Sequence, residues 1–251
     1  MKIHNEQMKV EGQNFQILEF EEVVSTNLEA KRLVRSGCTR QTAVWAHTQT
    51  SGRGRMDRKW ASAQGGVYAT FILRPVDLSH SFCLGLAVRD ELEDNGIRAL
   101  LKWPNDVLAG NAKIAGILGE VEKDALCLGL GLNVNLGLDS IKTAGLEQIA
   151  TSMVLEKKTG PDAYEIRALV ESIAGRFSSQ MKRPKDELIK TWKQNSATIG
   201  SYVRIETNEG FIEGKAVDLG PDFELVVHTG LGRRNILAGD CIHLRSPQGV
   251  V

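Results

Sequence analysis

The sequence lacks the marks of a membrane, secreted or metal-holding protein. Its four cysteines, Cys38, Cys83, Cys127 and Cys241, lie far apart without a Cys-x-x-Cys spacing. Neither a zinc site nor a disulfide framework is therefore indicated, and a reducing compartment suits them. No apolar run approaches the roughly 18 residues that a membrane span needs, and the polar N-terminus lacks the apolar core of a signal peptide. We therefore expect a cytoplasmic protein without a membrane partner.

Net charge is absent as well. The chain has 31 basic and 31 acidic residues among 251, so its formal net charge is zero. Broad nucleic-acid binding relies on many phosphate contacts, and this balance argues against it. A hydrophobic fraction of 42% predicts a globular protein with one main domain and room for a small second one.

Four familiar catalytic or nucleotide motifs are missing. No Gly-Lys-Ser/Thr follows the glycine-rich loop near residue 53 at the distance of a Walker A motif. Gly129 and Gly131 do not form a Rossmann fingerprint, because Val134 stands where the third glycine belongs. Neither Gly-x-Ser-x-Gly nor His-Glu-x-x-His occurs.

The hydrophobic pattern predicts an α+β chain that changes character near residue 196. Helical spacing predicts a first helix that opens at 25–27 with a Thr26–Glu29 capping box and stops at Gly37. Further helices are expected over 79–95, 161–177 and 185–194, and strands over 42–48, 67–73, 100–103, 113–121 and 126–136. Short strands follow over 202–206, 211–219, 223–228, 235–238 and 241–244. We expect a main domain over 1–196 and a small SH3-like barrel over 197–251.

The strand over 126–136 indicates a binding surface. Its leucines and Val134 fall on one parity, which predicts a large apolar face toward a core. The opposite parity carries Cys127, Gly129, Gly131, Asn133 and Asn135. A face without bulky side chains that ends in two amides is what a ligand lying on a sheet requires.

Positive charge is concentrated in one segment of this neutral chain. Arg53, Arg55, Arg58 and Lys59 fall within seven positions, with Gly54 among them. Glycine lets successive N–H groups turn toward an anion, and arginines add bidentate donors. The alternative is a solvated surface turn.

Two further motifs carry lysines. In LKWPNDVL (101–108), Lys102 precedes Trp103-Pro104, which fixes the chain direction, and Asn105 and Asp106 follow at a turn. In KIAGILGE (113–120), Lys113 is a candidate phosphate contact, and Gly116 suggests close approach to the backbone. Taken singly, the first motif is also compatible with a strand-end lysine that points into water next to an ordinary Asn-Asp turn, and the second with a bulge.

Five motifs in this order and spacing resemble those of the biotin protein ligases. They are STN (25–27), QTSGRGRMDRKW (49–60), KWPNDV (102–107), KIAGILGE (113–120) and GLGLNVN (129–135). The resemblance runs from about residue 15 to the C-terminus. It implies a mixed-sheet catalytic domain like that of class II aminoacyl-tRNA synthetases, followed by the SH3-like barrel.

The resemblance also implies a two-step reaction. Biotin attacks Mg·ATP to give biotinyl-5′-AMP and pyrophosphate, and a lysine of a biotin carboxyl carrier domain then displaces AMP. ATP, Mg²⁺ carried by ATP, and biotin are therefore the expected small molecules, and a homodimer is possible. Fixed cations would offset the repulsion between biotin's carboxylate and the phosphates.

Site residues are carried over by similarity to the matching positions. Lys102, Arg53 and Arg55 are expected to be catalytic. The expected biotin contacts are Ser25, Thr26, Asn27, Gln49, Arg53, Gly54, Arg55, Lys102, Gly116 and Gly131. The expected ATP contacts are Arg53, Arg55, Arg58, Trp60, Lys102, Asn105, Lys113, Asn133 and Arg245. We expect the 53–59 segment to be mobile until the adenylate orders it.

The sequence departs from the family pattern at one position. Many relatives have glycine where Asp57 stands. Some relatives also carry an N-terminal DNA-binding module of about sixty residues, whereas about fourteen residues precede the first family-like strand here, so we expect no DNA binding. Two different functions stay compatible with the sequence. One is a lipoate- or octanoate-type ligase of the same fold, and the second is a non-catalytic protein that binds biotin or a partner.

Overall fold

A computed structural model describes residues 3–4, 15–145, 150–207 and 210–244. The helices are α1 Thr26–Arg35, α2 His80–Asp94, α3 Leu138–Thr143, α4 Met153–Lys157, α5 Ile166–Gln180 and α6 Lys185–Gln194. The first eight strands are β1 Ile3–His4, β2 Gln16–Val23, β3 Thr42–Gln49, β4 Gly66–Leu73, β5 Ala99–Lys102, β6 Asp106–Ala109, β7 Ala112–Glu122 and β8 Ala125–Asn133. The last five are β9 Tyr202–Thr207, β10 Gly210–Leu219, β11 Leu225–Thr229, β12 Gly232–Ile236 and β13 Asp240–His243. None of the helices described is both long and apolar enough to cross a membrane.

The first eight strands form one mixed sheet, called the large sheet below. Their order is β1-β2-β3-β4-β8-β7-β6-β5. β2 and β3 run parallel, whereas the central pairs β4–β8 and β7–β8 are antiparallel. All eight residues of β4 are buried, as its continuous apolar run predicts. The expected α+β fold with a mixed sheet is confirmed.

Helices cover the two faces of the large sheet unequally. On one face, α2 and α5 join the main apolar core, where Phe71 and Leu128 pack with Phe177. On the other face, α1 covers a smaller core that includes Val34 and Cys127. Because α1 has only ten residues, it leaves part of this second face for a cavity.

The last five strands form an antiparallel sheet in the order β12-β11-β10-β9-β13, called the C-terminal sheet below. It is joined to the large sheet by apolar packing and by hydrogen bonds. Phe82 of α2 stacks on Phe223, with ring centroids 4.3 Å apart, and Trp103 Nε1 donates to the carbonyl of Phe223 over 3.0 Å. One buried apolar cluster thus extends through both sheets. The expected division at residue 196 stays a prediction.

The capping box predicted for Thr26 and Glu29 at the start of α1 is wrong. Ser25, not Thr26, is the N-cap of α1, and its side chain makes no capping hydrogen bond. The backbone N–H of Thr26 donates instead to Gln49 Oε1 over 2.8 Å, and its hydroxyl donates to the same oxygen over 3.2 Å. A long-range amide therefore replaces the local cap.

Several element ends also differ from the sequence pattern. β8 stops at Asn133 rather than at residue 136, because Asn135 bonds the backbone of Tyr164 with both ends of its amide. α5 begins at Ile166 rather than 161, where Glu165 accepts from two backbone N–H groups of its first turn. β12 starts three residues earlier than expected. The short elements β6, α3 and α4 gave too few periodic residues to be predicted.

Candidate active site

A cavity of about 620 Å³ lies on the face of the large sheet that α1 covers only in part. Fifteen of the sixteen site residues predicted from the sequence line it. They are Ser25, Thr26, Asn27, Gln49, Arg53, Gly54, Arg55, Arg58, Trp60, Lys102, Asn105, Lys113, Gly116, Gly131 and Asn133. The sixteenth, Arg245, lies outside the described residues.

Glycines of β7 and β8 form the floor of this cavity. A Cβ at Gly129 would overlap the side-chain amide of Asn27, and a Cβ at Gly131 would overlap the indole of Trp60. Gly116 pairs with Gly131 across the two strands, and a Cβ there would lie 3.0 Å from Trp60 Cζ3. The bare strand face expected from the sequence therefore lets polar and aromatic groups approach the backbone closely.

One half of the cavity, called the amide half, consists of hydroxyl, amide and carboxylate groups that bond one another. Gln49 Nε2 donates to Ser62 Oγ over 2.7 Å, while its Oε1 accepts from Thr26. Thr70 Oγ1 donates to Asn27 Oδ1 over 2.7 Å, and Asn27 Nδ2 donates to Glu120 over 2.8 Å. Both ends of each amide are engaged, so the orientation of each side chain is fixed before any ligand arrives.

Glu120 anchors this half and connects it to the cations. It accepts from Lys31 over 2.6 Å and lies 3.7 Å from Arg53 Nη1. Burial raises the pKa of Glu120, but hydrogen bonds from Lys31 and Asn27 and the charges of Lys31 and Arg53 outweigh it and leave that pKa below its ordinary value. Glu120 is therefore ionised and holds Arg53 where the two halves meet.

The other half, called the cation half, is bounded by the segment 53–59, the arginine loop. Arg53 and Lys59 form an antiparallel bridge, and Gly54 N–H donates to the carbonyl of Arg58 over 2.7 Å. Met56 and Asp57 at its tip have φ of 52° and 56°. That left-handed region favours glycine, so Asp57 occupies a backbone conformation that suits the glycine the resemblance leads one to expect there.

The arginine loop is tied to both sheets. Arg55 donates to Asn105 Oδ1 over 3.1 Å and to the carbonyl of Gly239 over 3.0 Å. Arg58 forms an ion pair with Asp240 of β13. The loop thus closes against the C-terminal sheet. Its mobility in the absence of ligand stays a prediction.

The two lysines of the cation half differ in their partners. Lys113 Nζ lies 2.7 Å from Asp106 Oδ1 and 5.2 Å from the ring centroid of Trp60, within cation–π distance. The ammonium group of Lys102 makes no hydrogen bond or ion pair with any residue in the described part of the chain. An unpaired ammonium group that lines a cavity can attract an anion directly.

Sequence reasoning missed several cavity and network residues. Thr70, Ser62 and Glu120 bond the predicted amides, and Asp240 and His243 of β13 join the lining. The only local signal was Glu120 at the end of the quoted motif 113–120. Asn133 was predicted to face a ligand, but its Nδ2 donates to the carbonyl of Thr151 over 2.9 Å.

Comparisons with known proteins place this chain in a family. The model of the biotin/lipoate A/B protein ligase family matches residues 20–135. The biotin–[acetyl-CoA-carboxylase] ligase of Mycobacterium tuberculosis is 33% identical over 235 residues, covering 88% of this chain and 86% of that protein. The chain belongs to the biotin protein ligases. The bifunctional ligase/repressor BirA of Bacillus subtilis is 30% identical over 246 residues, covering 93% and 75%.

A solved biotin protein ligase has the same fold. The Aquifex aeolicus enzyme in complex with biotin and ATP aligns with a TM-score of 0.78 and 31% identity, covering 92% of this chain and 99% of that one. Membership of the biotin protein ligases confirms the expected enzyme class, a ligase, and favours neither the lipoate-type nor the non-catalytic alternative.

Proposed function

We propose that this biotin protein ligase joins biotin to ATP as biotinyl-5′-AMP and transfers the biotinyl group to a lysine of a biotin carboxyl carrier domain. One observation carries the proposal. A single glycine-floored cavity joins a fixed amide network to a set of cations. A neutral polar ring and a polyanionic tail need that combination of surfaces.

The amide half suits the ureido ring of biotin. Ser25, Thr26, Asn27 and Gln49 supply hydroxyls and amides. The surrounding network already fixes the positions of the last three. Pre-positioned polar groups lose little entropy on binding, so they add affinity and select against rings without matching donors and acceptors. Gly116 and Gly131 leave room for the fused rings and the valeryl chain.

The cation half suits the nucleotide. Trp60 would stack on or shield the adenine, and Arg53, Gly54, Arg55, Arg58, Asn105, Lys113 and Asn133 surround the remaining space. Among the described residues no group of three His, Cys, Asp or Glu side chains is placed to hold a metal ion. Mg²⁺ would therefore enter on the phosphate oxygens of ATP.

The first step brings together two anions. A carboxylate oxygen of biotin attacks the α-phosphorus, the bond from that phosphorus to the bridging oxygen breaks, and pyrophosphate leaves. Arg53 lies where the two halves meet, and Lys102 has a free ammonium group among the described residues. Held cations of this kind stabilise the charge that develops in the transition state.

The second step transfers the acyl group. The ε-amine of the carrier lysine attacks the acyl carbon, loses a proton and displaces AMP, which leaves an amide. Until that attack, the mixed anhydride must be kept from water. The arginine loop, closed against the C-terminal sheet by Arg55 and Arg58, is placed to exclude it.

Mass spectrometry of a carrier domain tests the proposal directly. After incubation with the full chain, biotin and Mg·ATP, we expect one biotinyl group on the carrier, and none when its acceptor lysine is replaced by arginine. Lipoate in place of biotin is the matched control, because the same fold serves lipoate ligases. Modification by lipoate but not biotin would overturn the assignment. Pairing into a homodimer stays a prediction that sedimentation can test.

A further inference from the structure

A histidine of the C-terminal sheet is linked, through one buried threonine, to the strand end that carries Lys102. His243, on β13, lines the cavity, and its Nε2 lies 3.1 Å from the hydroxyl of Thr198. Thr198 is fully buried, with an exposed fraction of 0%. It lies in the chain that runs beside β5, where Leu101 exchanges backbone hydrogen bonds of 2.8 Å with Asn195 and Ala197.

The contact continues from Thr198 to the residue after Lys102. The backbone N–H of Trp103 donates to Thr198 Oγ1 over 2.9 Å. That hydroxyl still has its own hydrogen to donate, and His243 Nε2 can accept it in the tautomer that carries the ring proton on Nδ1. The series His243, Thr198, Trp103 therefore links the C-terminal sheet to the backbone that positions Lys102.

The electrostatic environment suits a neutral imidazole here. Burial, and to a lesser degree the charge of Lys102, lowers the pKa of His243 from 6.5 to about 4. On β13 itself, Asp240 and Cys241 are the nearest titratable groups, and Asp106 of β6 faces Cys241. A carboxylate in place of His243 would pair with Lys102, and a cation would repel it. A neutral acceptor does neither.

We infer that His243 is a positioning residue for Lys102, acting through Thr198 to hold the strand end so that the ammonium group stays unpaired and directed at the cavity. No family motif predicted this residue. The inference deepens the proposed function and rests on it.

Biotin-dependent exchange of pyrophosphate into ATP by the full chain tests the inference. His243→Leu removes the hydrogen-bond acceptor and puts an apolar side chain of similar size in its place. Because small displacements of a catalytic group are costly, we expect a roughly 10- to 100-fold fall in kcat with little change in the KM for biotin. His243→Gln keeps an acceptor and should restore most of the rate. Equal rates for His243→Leu and wild type would overturn the inference.

A double-mutant cycle separates positioning from general support of the fold. If His243 acts through Lys102, His243→Leu should cause no further loss in a Lys102→Ala background. An additive loss in that background, or a loss in His243→Leu that His243→Gln shares in full, would refute the inference. Replacing Thr198, the middle residue of the series, gives a second comparison. Thr198→Ser keeps the hydroxyl and should retain most of the rate, whereas Thr198→Val removes it and should lower kcat as His243→Leu does. Wild-type protein without biotin-dependent exchange would instead defeat the proposed function.

Discussion

The two halves of the cavity are built in opposite ways. In the amide half, the side chains of Asn27 and Gln49 are held at both ends by other protein groups. In the cation half, Lys102 makes no such bond among the described residues, and Arg58 makes one ion pair with its side chain 62% exposed. A neutral ring is recognised by fixed dipoles, whereas a polyanion needs charges that remain free for it.

The strand β8 shows how close these two regions are. Gly129 lies under Asn27 and Gly131 lies under Trp60. They are two residues apart on one face, so roughly 7 Å separates the two halves. Each of these glycines therefore contacts a side chain of a different half.

The largest expected effect is at Lys102. Replacing it by alanine removes a cation that lines the cavity and is unpaired among the described residues, so adenylate formation should fall about 10²–10³-fold. The KM for biotin should change much less if the amide half is independent. Pyrophosphate exchange measures both quantities. Lys102→Arg keeps the charge but changes its geometry, and it should recover part of the rate. If Lys102→Ala raised the KM for biotin and left the rate of adenylate formation unchanged, the two halves would not be independent.

The next prediction uses the two glycines. Gly129→Ala forces the amide of Asn27 to move, and Gly131→Ala forces the indole of Trp60 to move. Overpacking of this kind costs about 1–3 kcal/mol, or roughly 5- to 150-fold in affinity. Titration calorimetry should therefore show weaker biotin binding with nearly unchanged nucleotide binding for Gly129→Ala. Gly131→Ala should weaken nucleotide binding most, with a smaller loss of biotin affinity because Gly131 also leaves room for the valeryl chain.

A third glycine supplies the control. Gly119 lies on the neighbouring strand β7 outside the cavity, and a Cβ there would meet its nearest atom at an ordinary 3.5 Å. Gly119→Ala should leave both affinities unchanged. If Gly129→Ala and Gly131→Ala weakened both ligands equally, the two halves would be one surface.

The sequence predicted the floor of the cavity better than its walls. Period two in β8 identified the bare face, because alternation along a strand is a local property. The bonds that fix the amides join residues far apart in the chain, such as Thr70 with Asn27 and Asn27 with Glu120. No local pattern encodes such partners. The capping box failed for the same reason, since Gln49, 23 positions from Thr26, took its place.

The C-terminal side of the site was the least predictable. Strand spacing predicted the C-terminal sheet, yet nothing in that spacing indicated that Asp240 and His243 would reach the cavity. Their placement follows from packing of the C-terminal region against α2, through contacts such as Phe82 on Phe223. Apolar packing of that kind depends on shape, which a single sequence does not display.

Acid should affect the two halves over different pH ranges. The pKa of His243 is about 4 in the folded chain against an ordinary 6.5, so between these values the unfolded chain binds a proton that the folded chain does not. The free energy of unfolding should therefore fall as pH drops from 6.5 to 4, by about 1–2 kcal/mol for this partly buried group. Glu120, whose pKa is lowered, loses its contribution only below its ordinary pKa of 4.5.

Urea titrations at a series of pH values measure this difference. His243→Gln should flatten the fall between pH 6.5 and 4 and leave the steeper loss below 4.5 in place. The comparison of variant with wild type removes contributions from other histidines, including His80, whose pKa burial also lowers. An unchanged slope in the variant would show that His243 does not titrate as its surroundings require.

The smallest expected effect concerns the ion pair between Arg58 and Asp240. Exposed pairs contribute about 0.2–1 kcal/mol, so Asp240→Asn should speed the release of biotinyl-5′-AMP by no more than about fivefold. This substitution keeps Arg58 free for the nucleotide, so it tests the closing of the arginine loop separately from phosphate binding. Because salt screens exposed charges, the difference from wild type should shrink at about 1 M salt. Arg55 bonds Asn105 and Gly239, contacts that Asp240→Asn leaves intact. If Asp240→Asn instead speeds release of biotinyl-5′-AMP by much more than fivefold, then Arg58, despite its exposure, keeps the loop closed. The cation half would in that case be as rigidly held as the amide half.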